Sequence, residues 1–202
     1  MPTTKFLPCI PTRGTNVPSG PDWLHEIKHD GYRLIVQREG NARPAAHPTR
    51  IRLVGPLPLI VEAALRLRKT SFVIDGEAVV LGPDGISDFD ALHGGRRNAD
   101  VRLYAFDLLS DEGVDMRDET LRIRKLWLGK LLSRSGDGII INDHHAAEGV
   151  GPLLYRQACL MGLEGIVSKH QDSAYRPGRS ARWIKVKNPT SAAMTRAKDI
   201  KW

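Results

Sequence analysis

The stretch Glu26-Ile27-Lys28-His29-Asp30-Gly31-Tyr32-Arg33 most constrains what this chain can become, because it sets two acids, a lysine and an arginine around a turn-forming Asp-Gly. Trp23, Leu24 and Ile27 before it, and Leu34, Ile35 and Val36 after it, read as two strands of a hairpin. Period-two alternation aims Glu26 and Lys28 to one face of the first strand, so the lysine projects into a site with a carboxylate beside it. Apolar surroundings do not tolerate such a pair without a partner or a task. A lysine attacks phosphorus or carbon only as the neutral amine, which desolvation or neighbouring cations favour. Lys185 and Lys187 are candidate neighbours; the plainer alternative is a surface ion pair of Lys28 with Glu26 or Asp30.

With 202 residues the chain can bury a substantial core as one domain or two lobes. A formal net charge of +7 points to an anionic partner, and nucleic acid is favoured where no basic amphipathic helix marks a membrane surface. Cys9 and Cys159 are far apart and lack metal-ligand spacing, so both read as reduced thiols of a cytosolic protein. No apolar stretch approaches the ~20 residues of a membrane span, and no secretory leader is visible.

The prolines of residues 1–22 exclude a regular element there. Asn41 to Pro58, with Pro44, Pro48, Pro56 and Pro58, shows no clear period, whereas Leu59 to Leu67 has helical spacing. Phe72 to Leu81 reads as a strand pair interrupted by Asp75-Gly76-Glu77, whose carboxylates are costly in an apolar context unless they meet a cation or a hydroxyl. Phe89 to Leu92 reads as a helical turn and Val101 to Leu109 as a strand. Thr120 to Leu132 reads as an amphipathic helix with a solvated basic face of Arg122, Lys125 and Lys130. A short strand over Ile139–Asn142, a helix over Gly151–Met161, a strand after Gly165 and a strand over Ala181–Lys187 complete the pattern, followed by a polar helical tail from Ser191. In the last strand Trp183, Lys185 and Lys187 share a face, and aligned lysines repel unless a polyanion lies between them.

Five blocks in order carry a resemblance: Lys28-x-Asp30-Gly31-x-Arg33, Asp75-Gly76-Glu77, Tyr104-Ala105-Phe106-Asp107, Glu164-Gly165-Ile166-Val167-Ser168-Lys169 and Trp183-Ile184-Lys185-Val186-Lys187. From about Pro21 to Pro189 the chain resembles the nucleotidyltransferase domain of ATP-dependent DNA ligases, closest to bacterial ligases related to the end-joining repair enzymes. The resemblance implies an α+β, ATP-grasp-like fold of antiparallel sheets flanked by helices, with the nucleotide between the sheets. It divides the chain into an extended lead-in (1–20), an adenylation domain (21–189) and a polar tail (190–202).

It also implies roles. Lys28 attacks the α-phosphorus of ATP and holds AMP, which passes to the 5′-phosphate of nicked double-stranded DNA before the strand is sealed. Lys185 and Lys187 neutralise the phosphate. Glu77 and Glu164 meet Mg²⁺ or Mn²⁺, Glu77 also the ribose; a hard cation of this kind keeps several waters and takes few carboxylates. Phe106 stacks on adenine, Glu26 lies beside it, Arg33 and Arg50 reach ribose or phosphate, Lys169 touches the triphosphate or DNA, and Asp30 orders the turn. DNA repair, recombination or replication in the cytoplasm, at the nucleoid, is the implied setting.

Two departures stand out. The family's Ser/Thr-Arg-x-Gly block appears here as Thr49-Arg50 followed by Ile51-Arg52. After Pro189 only a tail remains where such ligases continue into an oligonucleotide-binding (OB) barrel, so a separate OB-domain or end-joining protein is an expected partner. The competing readings are an RNA ligase or capping-type nucleotidyltransferase that uses the same lysine, and a non-catalytic nucleic-acid or partner-binding remnant.

Overall fold

The computed structural model describes residues 6–40, 50–52 and 57–199. Along the chain run β1 (Cys9–Arg13), β2 (Trp23–Ile27), β3 (Tyr32–Glu39), β4 (Arg50–Arg52), α1 (Pro58–Arg66), β5 (Phe72–Val79) and α2 (Phe89–His93). There follow β6 (Arg102–Asp111), β7 (Val114–Asp115), α3 (Leu121–Leu132), β8 (Ile139–Ile141), β9 (His144–His145), α4 (Val150–Leu160), β10 (Gly165–His170), β11 (Gly178–Lys187) and α5 (Ala192–Asp199). Helix starts follow local chemistry: Pro58 opens α1, the Asp88 carboxylate accepts from the Ala91 N–H at α2, and Thr120 Oγ1 accepts from the Ile123 N–H at α3.

The strands form two sheets. The first has the order β1-β11-β10-β2-β9; the second has β4-β3-β5-β6-β7, with β8 added beside β6. Pairing is antiparallel except at β1–β11 and β6–β8. The mixed α+β architecture expected from the sequence is therefore the one found.

The expected hairpin around Asp30-Gly31 is not formed. Strand β2 pairs with β10 and β9, β3 pairs with β4 and β5, and residues 28–31 carry the chain from one sheet to the other. An Asp-Gly signal specifies a reversal, not a partner, and by entering separate sheets both strands are hydrogen-bonded along their two edges. Gly31 is needed at the crossing because a Cβ there would run into the Ala78 carbonyl oxygen.

Three further expectations are corrected. Phe72–Val79 is one strand, not two: Asp75 is fully buried and takes charge and hydrogen bonds from Arg33 and Tyr175, so the acidic interruption need not leave the sheet. The proline-rich lead-in contains β1, which tolerates Pro11 because it is an edge strand. The basic face of α3 is not simply solvated, since Arg124 and Lys125 are buried with Leu121 and Leu128. Outside the described residues lie 41–49 and 53–56, the segment without clear period, and 200–202 of the tail.

The largest apolar core lies between the second sheet and helices α1 and α3, where Val36, Ile60, Ile74, Leu103, Leu108, Leu128 and Ile139 are fully buried. Each such side chain contributes about 1.5–3 kcal/mol of burial free energy. A second cluster, with Cys9, Val73, Phe106, Leu109, Tyr175 and Trp183, fills the space where the sheets face each other. A third, Ala158, Leu163 and Ile166, seats α4 on the first sheet. Among the described residues no helix is long and apolar enough to cross a membrane.

Candidate active site

Register across the first sheet decides which side chains share its inner face. Glu26 pairs with Val167 and Val167 with Lys185; Leu24 pairs with Lys169 and Lys169 with Trp183. Alternation then puts Lys187 and, just beyond the end of β2, Lys28 on the same side. The Lys28 N–H donates to the Gly165 carbonyl at 2.9 Å, which continues the β2–β10 ladder to the nucleophile candidate before the chain crosses over. From the second sheet Arg33, Glu77 and Phe106 face these residues, and between the sheets lies a cleft of about 180 Å³.

At one end of the cleft Lys28 Nζ lies 2.5 Å from Glu164 Oε2, and Lys187 Nζ lies 2.7 Å from Glu164 Oε1. The partner of Lys28 is thus neither Glu26 nor Asp30 but an acid 136 positions away. Asp30 instead pairs with Arg196 of α5, whose guanidinium also lies 4.8 Å from the Phe89 ring centroid. Lys185 lines the cleft, and burial, followed by the charges of Lys28 and Lys187, lowers its pKa. Glu77 has no hydrogen bond or ion pair among the described residues, and burial pushes its carboxyl up to about 7.

At the other end Glu26, 1% exposed, lies 2.5 Å from Lys125 Nζ through Oε1 and 2.7 Å from Lys169 Nζ through Oε2. Burial alone would raise the Glu26 pKa, but the two lysines outweigh it and the carboxyl stays below its ordinary value. Burial lowers Lys169 to about 8 against the opposing pull of Glu26. The Lys169 ammonium sits 4.1 Å from the Phe106 ring centroid and 4.3 Å from that of Trp183. Phe106 is placed by a β-bulge: Asp75 faces Asp107 and Gly76 faces Ala105, so Phe106 has no partner on β5 and is turned toward the cleft. Arg33 donates to both oxygens of Asp75 from Nε and Nη2 at 2.6 Å, and from Nη2 to the Cys9 carbonyl at 3.2 Å, while its Nη1 makes no hydrogen bond among the described residues. Tyr175 completes this brace, donating to Asp75 Oδ2 at 2.6 Å and accepting from the Cys9 N–H at 2.9 Å.

Of the residues singled out from the sequence, the cleft gathers Glu26, Lys28, Arg33, Glu77, Phe106, Lys169 and Lys185, with Glu164 and Lys187 joined to it through Lys28. Arg50 is on β4, opposite Glu39, and its side chain is outside the described residues. Lys125 and Asn142 were missed. Lys125 carried a signal, because Arg124 and Lys125 fall three and four positions after Leu121 and four and three before Leu128, which is the buried stripe of a helix. Asn142 carried none.

A lysine held at the crossing between two facing sheets, with a glutamate and further lysines around it, defines the nucleotidyltransferase class of α+β domain. The family described as the ATP dependent DNA ligase domain matches residues 14–187, and the chain belongs to that family. It is 32% identical over 184 residues to the multifunctional non-homologous end joining protein LigD of Mycolicibacterium smegmatis, covering 90% of this chain and 24% of that protein. It is 36% identical over 173 residues to LigD of Pseudomonas aeruginosa, covering 82% of this chain and 20% of that protein. The ligase domain of Mycobacterium tuberculosis LigD superposes with a TM-score of 0.71 at 28% identity, over 90% of this chain and 60% of that one. Mycobacterial DNA ligase D complexed with ATP and MES gives a TM-score of 0.70, also at 28% identity and with the same coverage. The chain spans about a quarter or less of the length of these two LigD proteins, and what it matches in them is the adenylation domain of the ligase.

Proposed function

We propose that this chain uses Lys28 to take AMP from ATP and pass it to the 5′-phosphate of a nick in double-stranded DNA, the step that prepares the strand for sealing. The observation that carries the reading is the convergence of Lys28, Glu164, Lys187 and Lys185 from three strands at one end of a cleft whose other end offers an aromatic ring. The Lys28 amine attacks the α-phosphorus in line, a P–N bond forms, and the bond to pyrophosphate breaks. Lys185 and Lys187 draw the triphosphate in and offset the charge that builds on its oxygens. Lys28 gives up its contact with Glu164 to react, because an ammonium paired with a carboxylate has no lone pair to offer. Phe106 receives the purine, which requires Lys169 to move off the ring.

The side chains also suit a divalent cation, to differing degrees. Glu77, half-buried and unpartnered among the described residues, fits a hard cation that keeps its waters and shares phosphate oxygens, whereas both oxygens of Glu164 are held by lysines. Among the described residues no three His, Cys, Asp or Glu side chains are grouped to hold an ion without substrate. When bound, the ion supplies positive charge to the triphosphate oxygens. The net charge of +7 supports salt-sensitive contact with the DNA backbone.

The test is incubation with Mg²⁺ and ATP labelled at the α-phosphate, followed by denaturation. The label stays on the wild-type chain and is absent from Lys28→Ala. A wild-type chain that takes no label overturns the proposal, and sealing of a nick already carrying 5′-AMP by that chain would leave only the later steps standing.

A further inference from the structure

The C-terminal ends of α1 and α3 meet behind the second sheet, on the side away from the cleft, and border a hollow of about 350 Å³. Arg66, Arg68, Lys69, Lys130 and Arg134 line it over a floor of Leu67 and Leu131, and among the described residues no acid does. Cations near helix C-termini ordinarily answer the last carbonyls. Here those carbonyls are already served: buried Arg38 donates from Nη1 to Ala64 and Leu67 at 2.8 and 2.9 Å, and Ser133 and Ser135 donate from Oγ to Lys130 and Leu132 at 3.1 and 2.9 Å. Arg66 pairs with Glu62 and Lys69 with Asp111, whereas Arg68, Lys130 and Arg134 make no ion pair among the described residues. The ammoniums of Lys130 and Lys69 lie 4.3 and 5.1 Å from the ring centroid of partly exposed Trp127, so one indole gathers two like charges from different elements.

We propose that this hollow is a second anion site, remote from the cleft, which takes the phosphates of a nucleic-acid backbone. Like charges gathered in a concave surface repel one another and concentrate anions from solution. Arg68, Lys130 and Arg134 are exposed, and such mobile cations suit a row of phosphates met one by one, whereas a single phosphate is held by a fixed fork of donors. An acidic protein segment would bring charge too, but the core of a protein interface is apolar, and the leucines of this floor are already buried in the domain. None of these residues lines the cleft, so the inference goes beyond AMP transfer and stands whether or not Lys28 reacts.

The experiment measures equilibrium binding of an intact DNA duplex to the full chain, without ATP, across a range of salt concentrations. Combining Arg68→Ala, Lys130→Ala and Arg134→Ala lowers the slope of log affinity against log salt by about 2–3, because each phosphate contact contributes about 0.9. A control of equal net charge, Arg122→Ala with Arg156→Ala and Arg182→Ala, lowers it by less than about 1. An unchanged slope in the first variant, or an equal fall in the control, overturns the inference. Melting curves read the competing role: a lower midpoint with an unchanged slope assigns the three cations to the helix ends. Inorganic phosphate is then added at constant ionic strength, and if millimolar amounts erase the difference between wild type and variant, the hollow takes a free ion and the backbone assignment falls. It falls as well if the three cations govern binding of polyglutamate and not of the duplex, which would mark an acidic protein partner. Covalent labelling from ATP is read separately: the triple variant labels at the wild-type rate, and a wild type that takes no label refutes AMP transfer while leaving the second site standing.

Discussion

Replacing Arg124 by methionine should remove about 4 kcal/mol of stability, because it leaves a buried carboxylate without its partner. Arg124 and Asp107 both have fully buried side chains, and the guanidinium binds both carboxylate oxygens, at 2.7 Å from Nε and 2.9 Å from Nη2. Its Nη1 also donates to the carbonyls of Glu119 at 2.6 Å and Ser173 at 2.9 Å. Breaking a buried pair from one side costs about 3–5 kcal/mol, whereas replacing both members by apolar groups is often near neutral. Against a total stability of about 5–15 kcal/mol this is a large fraction. At about 2–4 °C per kcal/mol for a chain of this size, the melting temperature should fall by about 8–16 °C. Urea unfolding with linear extrapolation is the assay, and the midpoint should move while the slope stays constant. Arg124→Met with Asp107→Leu should recover most of the loss. A single-variant loss under about 1 kcal/mol, or a double variant no better than the single, would refute the argument from uncompensated charge.

The His29 pKa of about 4, below the ordinary 6.5, means the unfolded chain binds a proton that the folded chain refuses. Its contribution is complete above pH 6.5 and is lost as the pH falls toward about 4, up to about 3 kcal/mol in all. Urea midpoints measured across that window should flatten in His29→Gln relative to wild type, and identical slopes would count against burial as the cause. Gly31→Ala should cost about 1–3 kcal/mol by forcing a methyl into the Ala78 carbonyl. It should also slow covalent labelling, because it displaces the segment that carries Lys28; labelling at the wild-type rate would show that the crossing has room to spare. Glu77→Gln should raise the Mg²⁺ concentration for half-maximal labelling by about tenfold or more, and an unchanged titration would remove Glu77 from the cation site.

Much of the candidate site was legible because its chemistry comes in short blocks. Lys28, Glu77, Phe106, Glu164, Lys185 and Lys187 each lie in a local pattern that announces a charged or aromatic group inside an apolar strand. Alternation alone correctly placed Lys185 and Lys187 on one face of β11. What stayed hidden depends on residues distant in the chain. The partner of Lys28 is settled by the β2–β10 pairing, the aim of Phe106 by an unpaired residue in the β5–β6 ladder, and the engagement of Arg33 by Asp75 and Tyr175.

The sequence by itself determined the strand and helix pattern of most of the chain, its mixed class, its family and most of the charged and aromatic residues that line the cleft. These follow from periodicity, turn and cap chemistry and the order of motifs, all of which act over a few residues. Only the tertiary structure decided that the segment around Lys28 joins two sheets rather than closing a hairpin, that Lys125 reaches Glu26 from a helix, and that the Asn142 side-chain amide donates to the Ile27 carbonyl. Each of these is a choice among partners of similar local merit. It is made by the ladder hydrogen bonds and the apolar burial of the whole domain taken together, which no short window of sequence contains.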